Sequence, residues 1–445
     1  MAAQSREALK AAVCEEIDRR RADVFAIGEA IRRNPELGFK EFETAALVAK
    51  EFRRLGIPCR QGLAITGVKG VLEGEAGGPG VAVMGELDAL TVADHPEANP
   101  QTGAVHACGH NAQIAALVAT AMGLVGSGAM RELSGRVVLI AVPAEEYVEL
   151  EYRMELRRQG KLEFLAGKPE LIRLGELDDV DLAMMTHLTS AAEDRTVGIA
   201  SSSNGCVAKL IQYVGRAAHA GGAPHHGINA LSAARVALAA IDAQRETFRD
   251  DDCIRVHPII TRGGDVVNVI PADVRLETYV RGKTVEAIEA ADAKVDRALR
   301  AGALALGAQV KIATMPGYLP QVNDPHLGAI FRENAAALYG ADQFTEAGHR
   351  GGSTDMGDVE HIMPAIHPYH SGSSGTGHGK DYAITDPEAA YLGPAKLMAM
   401  TAIDLLCGEA EGARGVLAKS TPRMTKAEYL TFMRRMFRDE LYEGG

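Results

Sequence analysis

Residues 80–90, GVAVMGELDAL, and residues 135–146, GRVVLIAVPAEE, decide the fold: each is an apolar run that ends on acidic side chains. With GVKGVLEGE at 67–75, they form strand-like runs separated by the helical pattern that starts at Asn111. Strands that alternate with helices imply an α/β layer around a mostly parallel sheet. Such sheets bind ligands beyond the carboxyl ends of their strands. Asp88, Glu145 and Glu146 each fall just after an apolar run, and LAMMTHLT at 182–189 delivers His187 in the same way. Acidic and imidazole groups should therefore gather at one rim.

A different texture begins near residue 203. GCVAKLIQYVGR (205–216) reads as a strand, GINALSAARVALAAIDAQRETF (227–248) as a helix, and IRVHPIITRGG (254–264) and ADVRLETYVRG (272–282) as strands. A second helix, 285–307, and a strand, 308–315, follow before polar, Gly-rich chemistry resumes at HRGGSTDMGD (349–358) and GTGHGKDY (375–382). The expected architecture is α/β: a catalytic domain with a mostly parallel sheet and flanking helices, built from residues 1–202 and 316–445, the latter with a C-terminal helical tail. An inserted α+β (βαββαβ) lid or dimerisation domain occupies 203–315. The stretch ELEYRMELRRQGKLEFLAGKPELIRLGELDD (149–179) alternates in sign and reads as a solvated, subunit-facing excursion.

Bulk properties agree with two cores, since single cores stop growing at roughly 250–300 residues and this chain has 445. A net charge of −12 and a pI near 5.7 argue against nucleic acid as partner, because phosphate binding needs clustered Lys and Arg. The N-terminal MAAQSREALKAAVCEEIDRRRADVF is charged and helix-patterned, and no uninterrupted apolar span of about 18 residues exists. No membrane partner and a cytoplasmic location are expected. Cys14, Cys59, Cys108, Cys206, Cys253 and Cys407 form no CxxC pair and no disulfide framework.

Only Cys108 has ligand-type neighbours, in HACGHN at 106–111. Three readings compete there: a metal site, a reactive thiol and a polar loop. On a regular helix Cys108 and His110 would point to different sides, so a shared metal needs an irregular strand-to-helix junction, where Gly109 supplies the backbone freedom. Nearby carboxylates should raise a thiol's pKa, which weakens the nucleophile reading. Adjacent side chains leave an extended backbone in opposite directions, so one of Glu145 and Glu146 can hold a metal while the other reaches the water beside it. Cys108, His110, Glu146, His187 and His378 make five S, N and O ligands, enough for two divalent ions.

The series GELDAL, HACGHN, PAEE, MMTH, GRAAHAGGAPHHGINAL, NVIPADVRLETYVRG, GGSTDMGD and GTGHG resembles, in that order, the motifs of the dinuclear metallopeptidase family that holds aminoacylases, carboxypeptidase G, and the auxin-conjugate and aminobenzoyl-glutamate amidohydrolases. The resemblance spans residues 25–405. It implies Cys108 as a metal bridge, His110, Glu146, His187 and His378 as the remaining ligands, and Glu145 as general base. It further implies that Asp88 orients a metal-binding histidine. His219, with Asn268 as helper, would bind the oxyanion in a neighbouring subunit's site, and Arg281 would grip a substrate carboxylate. One departure is Asn111-Ala112-Gln113, where many amidohydrolases read Asp-Gly-His. Asn111 resembles the aminobenzoyl-glutamate and dipeptidase-like members. Another is HLTS after His187, which replaces a commoner aromatic or proline context.

The expected activity is cleavage of the amide bond of an N-acyl or N-aroyl amino acid, or a dipeptide-like conjugate, by water activated on two divalent ions. Thiolate softness suits Zn2+, and the oxygen and imidazole ligands also suit Mn2+. An aryl-amine aminohydrolase on the same metals, and a catalytically silent binding or assembly protein, are the alternatives. The expected partners are a small carboxylate substrate and a second copy of the chain, as a homodimer or higher homo-oligomer through the lid.

Overall fold

A computed structural model describes residues 5–444. The chain divides into two compact units, one of residues 1–201, 322–348 and 358–425, the other of residues 202–321, 349–357 and 426–445.

In the first unit a six-stranded sheet runs in the order Cys59–Leu63, Gly67–Glu73, Ser134–Val142, Ala76–Glu86, Leu182–Met184, Ala365–Ile366. The last four strands are parallel, and the first two add an antiparallel edge. The final seven residues of Ala76–Glu86 are all buried, as expected of a parallel strand covered on both faces. Helix His110–Gly126 is buried along nearly its whole length, which its Ala-rich sequence permits. Register does the positioning. Glu86 lies opposite Val142, and Val83 opposite Met184, so Asp88, Glu145, Glu146 and His187 all leave the sheet at its carboxyl rim.

The second unit is an antiparallel sheet with helices Ala230–Gln244 and Val285–Leu306 in its core cluster. Strand Asp273–Gly282 alternates buried and half-buried residues along its length. Two details differ from the sequence reading. The strand expected over 254–264 is broken into Arg255–Val256 and Ile259–Arg262, on either side of Pro258, which has no N–H to give. The stretch expected as a helical tail of the catalytic domain ends instead in strand Arg438–Glu443, which pairs antiparallel with Gln309–Pro316. With helix Lys426–Met436 it belongs to the second unit.

A buried cation closes this unit's core: Lys209 Nζ lies 2.6 Å from both Asp292 and Asp296 and donates to Thr314 Oγ1 at 2.8 Å. Without Lys209 the two aspartates keep only the half-exposed Arg438, which pairs with Asp292 and lies 3.8 Å from Asp296; breaking a buried ion group costs about 3–5 kcal/mol. Lys209→Met is therefore expected to lower stability by roughly that amount in equilibrium urea unfolding. An unchanged midpoint would show that the two aspartates find another partner.

Candidate metal centre

The junction between Val105 and the helix that starts at His110 is irregular, as the Cys108/His110 spacing requires. Gly109 caps the helix with φ 91°, and a side chain there would meet Tyr382 Oη at 2.6 Å. This turn aims Cys108 and His110 at one space. Cys108 Sγ lies 3.2 Å from His187 Nε2 and 3.3 Å from His378 Nε2. His378 Nε2 is also 3.2 Å from Glu146 Oε1. Ligand-type atoms thus meet in two groups that share the thiol, Cys108–His110–His187 and Cys108–Glu146–His378. A third group, Glu86–His110–Glu145, adjoins them.

These donors fit divalent ions. Metal bonds of about 2.0–2.3 Å place neighbouring ligands about 3–3.5 Å apart, the range seen around Cys108. The tautomers fit as well. His110 Nδ1 donates to the Asp88 carbonyl at 2.8 Å and His187 Nδ1 to the Leu188 carbonyl at 2.7 Å. A carbonyl only accepts, so in both rings Nε2 keeps its lone pair for an ion. His110 Nε2 and Glu146 Oε1 are buried, and their contacts, to Glu86 Oε2 at 3.0 Å and to His378 Nε2 at 3.2 Å, lack hydrogen-bond geometry.

The electrostatics is that of a site built for positive charge. Burial disfavours a charged His110, yet Glu86 and Cys108 raise it well above the usual imidazole range. Glu146 raises His378 to about 11. Burial and Glu146 push the Cys108 thiol up, but His187 and His110 bring it down to about 6. Contrary to the expected rise of the thiol, the carboxylate does act against the thiolate but the imidazoles outweigh it. His106, by contrast, joins none of the ligand groups; burial, with His110 beside it, pushes it down to about 3.

Asp88 ties the parts together. Its carboxylate accepts the Glu146 N–H at 2.8 Å, while its Oδ1 is 3.3 Å from His110 Nδ1. Glu145 Oε2 is 3.9 Å from His110 Nε2. The turn that carries both glutamates is held from outside the sheet. Ala144, at φ 53°, gives its N–H to Glu41 at 2.8 Å. The fully buried Arg153 donates to the carbonyls of Ala144 (3.2 Å), Leu165 (2.7 Å) and Glu146. The expectation of a solvated 149–179 excursion is corrected: Arg153, Lys168 and Glu170 are all buried. Glu86, Gln113, Lys168 and Arg153 were missed. Glu86 had a signal, since it stands two residues before Asp88 on a strand and so shares its face.

The remaining predicted residues belong to the second unit. Pairing continues beyond its sheet: Gly215 N–H to Ala272 O at 2.8 Å, Ile270 N–H to Ala218 O at 2.9 Å, Ala220 N–H to Asn268 O at 2.9 Å. This ribbon brings His219 and Asn268 together, both exposed. His219 Nδ1 accepts from the N–H groups of Gly222 (2.9 Å) and Gly221 (3.1 Å), which leaves Nε2 as the donor. Arg281 lies at the other end of strand Asp273–Gly282, over the Tyr279 ring and 3.5 Å from Ser353 Oγ.

Comparison with known proteins shows the family. Residues 82–403 match the family described as Peptidase family M20/M25/M40. The chain is 29% identical over 437 residues to the Xaa-Arg dipeptidase of Mus musculus, with 92% of each covered. Its fold is shared by a dinuclear metal binding peptidase of the M20 family from Bacillus subtilis, with TM-score 0.64 and 23% identity over 87% of this chain and 99% of that one. It is shared too by the aminobenzoyl-glutamate utilization protein of Klebsiella pneumoniae, with TM-score 0.67 and 20% identity over 88% and 98%. The chain thus belongs to peptidase family M20/M25/M40 and is a hydrolase of amide or peptide bonds.

Proposed function

We propose that the chain is a dinuclear amidohydrolase that cleaves a dipeptide-like conjugate or an N-acyl or N-aroyl amino acid carrying a free carboxylate. The observation that carries this reading is the meeting of two ligand groups through Cys108, with Glu145 beside them. Likeness to an Xaa-Arg dipeptidase over 92% of the chain supports the dipeptide end of the range. Cys108, His110 and His187 would hold one ion and Cys108, Glu146 and His378 the other, as Zn2+ or Mn2+. When bound, such ions polarise an amide carbonyl and lower the pKa of water. Glu145, which stands with His110 and Glu86 rather than in either Cys108 group, takes the proton from the attacking water and delivers it to the leaving amine. His219 Nε2–H and Asn268 donate to the developing oxyanion, and Arg281 pairs with the substrate carboxylate through a bidentate fork.

The second unit's shape supports a homodimer. Strand Asp273–Gly282 separates Asn268 from Arg281, and its eight steps from Asp273 to Arg281 cover about 27 Å. An extended dipeptide spans under about 10 Å. One copy therefore cannot offer both ends to one substrate, and His219 and Asn268 would serve the other copy's ions. The edge strand Ile259–Arg262, with exposed Ile259 and Ile260, is a candidate contact.

The direct test is a metal-loaded screen over dipeptides, N-acyl amino acids and aromatic amines with mass-spectrometric product identification. Release of an amino acid is expected; ammonia alone would mean ring deamination. Glu145→Gln should lower turnover by about 10²–10⁴ with metal content intact. Loss of the ions would instead make Glu145 a ligand. Mixing inactive Glu145→Gln and His219→Ala subunits should restore about a quarter of wild-type turnover, from hybrid dimers with one complete site. Subunit exchange without recovery would refute donation between copies. Arg281→Lys should raise KM for a carboxylate substrate far more than for its carboxamide, whereas equal losses would remove Arg281 from acid recognition.

A further inference from the structure

The sign-alternating stretch 149–179 sends two cations inward. Arg153 holds the carbonyls around Glu145 and Glu146, as described above. The second is Lys168, with no exposed surface. It stands in the first turn of helix Gly167–Leu174, which approaches the strand end so closely that a side chain at 167 would lie 1.8 Å from the Pro143 carbonyl. Only glycine permits that approach, and it puts Lys168 Nζ 2.6 Å from Glu86 Oε1.

Glu86 is held on its other side too. Its Oε2 accepts from Gln113 Nε2 at 2.8 Å, and its own N–H donates to Gln113 Oε1 at 3.2 Å. The same Oε2 lies 3.0 Å from His110 Nε2. With Nδ1 occupied by the Asp88 carbonyl, Nε2 is the nitrogen left for an ion, so Glu86 sits at ligand-to-ligand distance from it. A Glu carboxylate is flexible about three bonds; here the ammonium and the amide fix it in one orientation.

We propose that the charged segment is an internal brace for the metal centre, in which Lys168 is a positioning residue that pins the Glu86 carboxylate against His110. The brace rests on the reading of His110 as a metal ligand. Lys168 acts through Glu86, and its loss should be felt as weaker binding at the His110-side ion, because partners that orient ligands typically contribute about 10–100-fold in metal affinity. A purely structural ion pair would behave differently. Removing both charges together would then restore everything that removing one had damaged.

The experiment compares wild type, Lys168→Met and the charge-neutral double variant Glu86→Gln/Lys168→Met. Co2+ affinity is read by equilibrium dialysis and by the thiolate-to-cobalt absorption band, and thermal unfolding is followed without metal. Wild type should take up two ions. Lys168→Met should lose both thermal stability and affinity for one ion. The double variant should regain stability while its affinity for that ion stays about 10–100-fold down. Recovery of both properties in the double variant, or unchanged Co2+ binding in Lys168→Met, would overturn the brace. Glu86→Asp covers the case of a variant that does not fold: it keeps both charges but withdraws the carboxylate from His110 by one methylene. It should melt near wild type and bind one ion more weakly; normal affinity would overturn the proposal. Absence of Co2+ binding in wild type would overturn the metal reading itself, whereas normal wild-type binding with normal variants removes the brace alone.

Discussion

Parallel register between Ala76–Glu86 and Ser134–Val142 is the constraint on which the site depends. Glu86 opposite Val142, fixed by the Leu87 N–H to Val142 carbonyl bond at 2.9 Å, leaves Asp88 beside the turn that carries Glu145 and Glu146. One carboxylate can then accept the Glu146 N–H while its own backbone carbonyl orients His110. A slip of one residue would turn Glu86 and Asp88 to the face now taken by Leu87, inside the apolar core. Hydrophobic burial of the strand and assembly of the polar rim are thus one event.

The price of such a rim is a dense group of negative side chains in a dry place. The fold answers with buried cations rather than surface ones. Arg153 and Lys168 come from one segment, and Lys209 serves the same purpose in the second unit. Arg153 has three carbonyl acceptors, Lys209 two aspartates and a threonine hydroxyl, and Lys168 the Glu86 carboxylate; paired acceptors are what make burial of a charge tolerable. Exposed pairs on the same segment, such as Arg158 with Glu155 at 2.7 Å, contribute little by comparison.

Strand ends could be read in the sequence because an apolar run that stops on an acid or an imidazole is a local pattern: PAEE and GELDAL show the first and MMTH the second. Gly109 was legible for the same reason: a two-residue ligand spacing cannot be met by a helix. Burial of Arg153 and Lys168 was not legible, since alternation of charge describes a solvated face until tertiary packing turns one side inward. Glu86 carries a weaker mark than Asp88, because it falls before the apolar run has ended. The expected helical tail holds at Lys426–Met436 and gives way at Arg438–Glu443, because a strand that pairs with Gln309–Pro316, far away in the chain, carries no local mark. His219 and Asn268 were brought together by a ribbon 49 residues apart in sequence, which motif order suggested and spacing did not.

Strand Arg438–Glu443 has a kinetic consequence. The second unit's sheet is begun at Gly205 and completed only when residue 443 has emerged from the ribosome, after the whole of the first unit has been made. Two nascent cores must therefore mature with their segments interleaved along the chain, and each waits on contacts of high sequence separation, which form slowly. Until then Gln309–Pro316 presents an open edge to other nascent chains. Chaperone demand during synthesis should thus include this edge until the last strand docks.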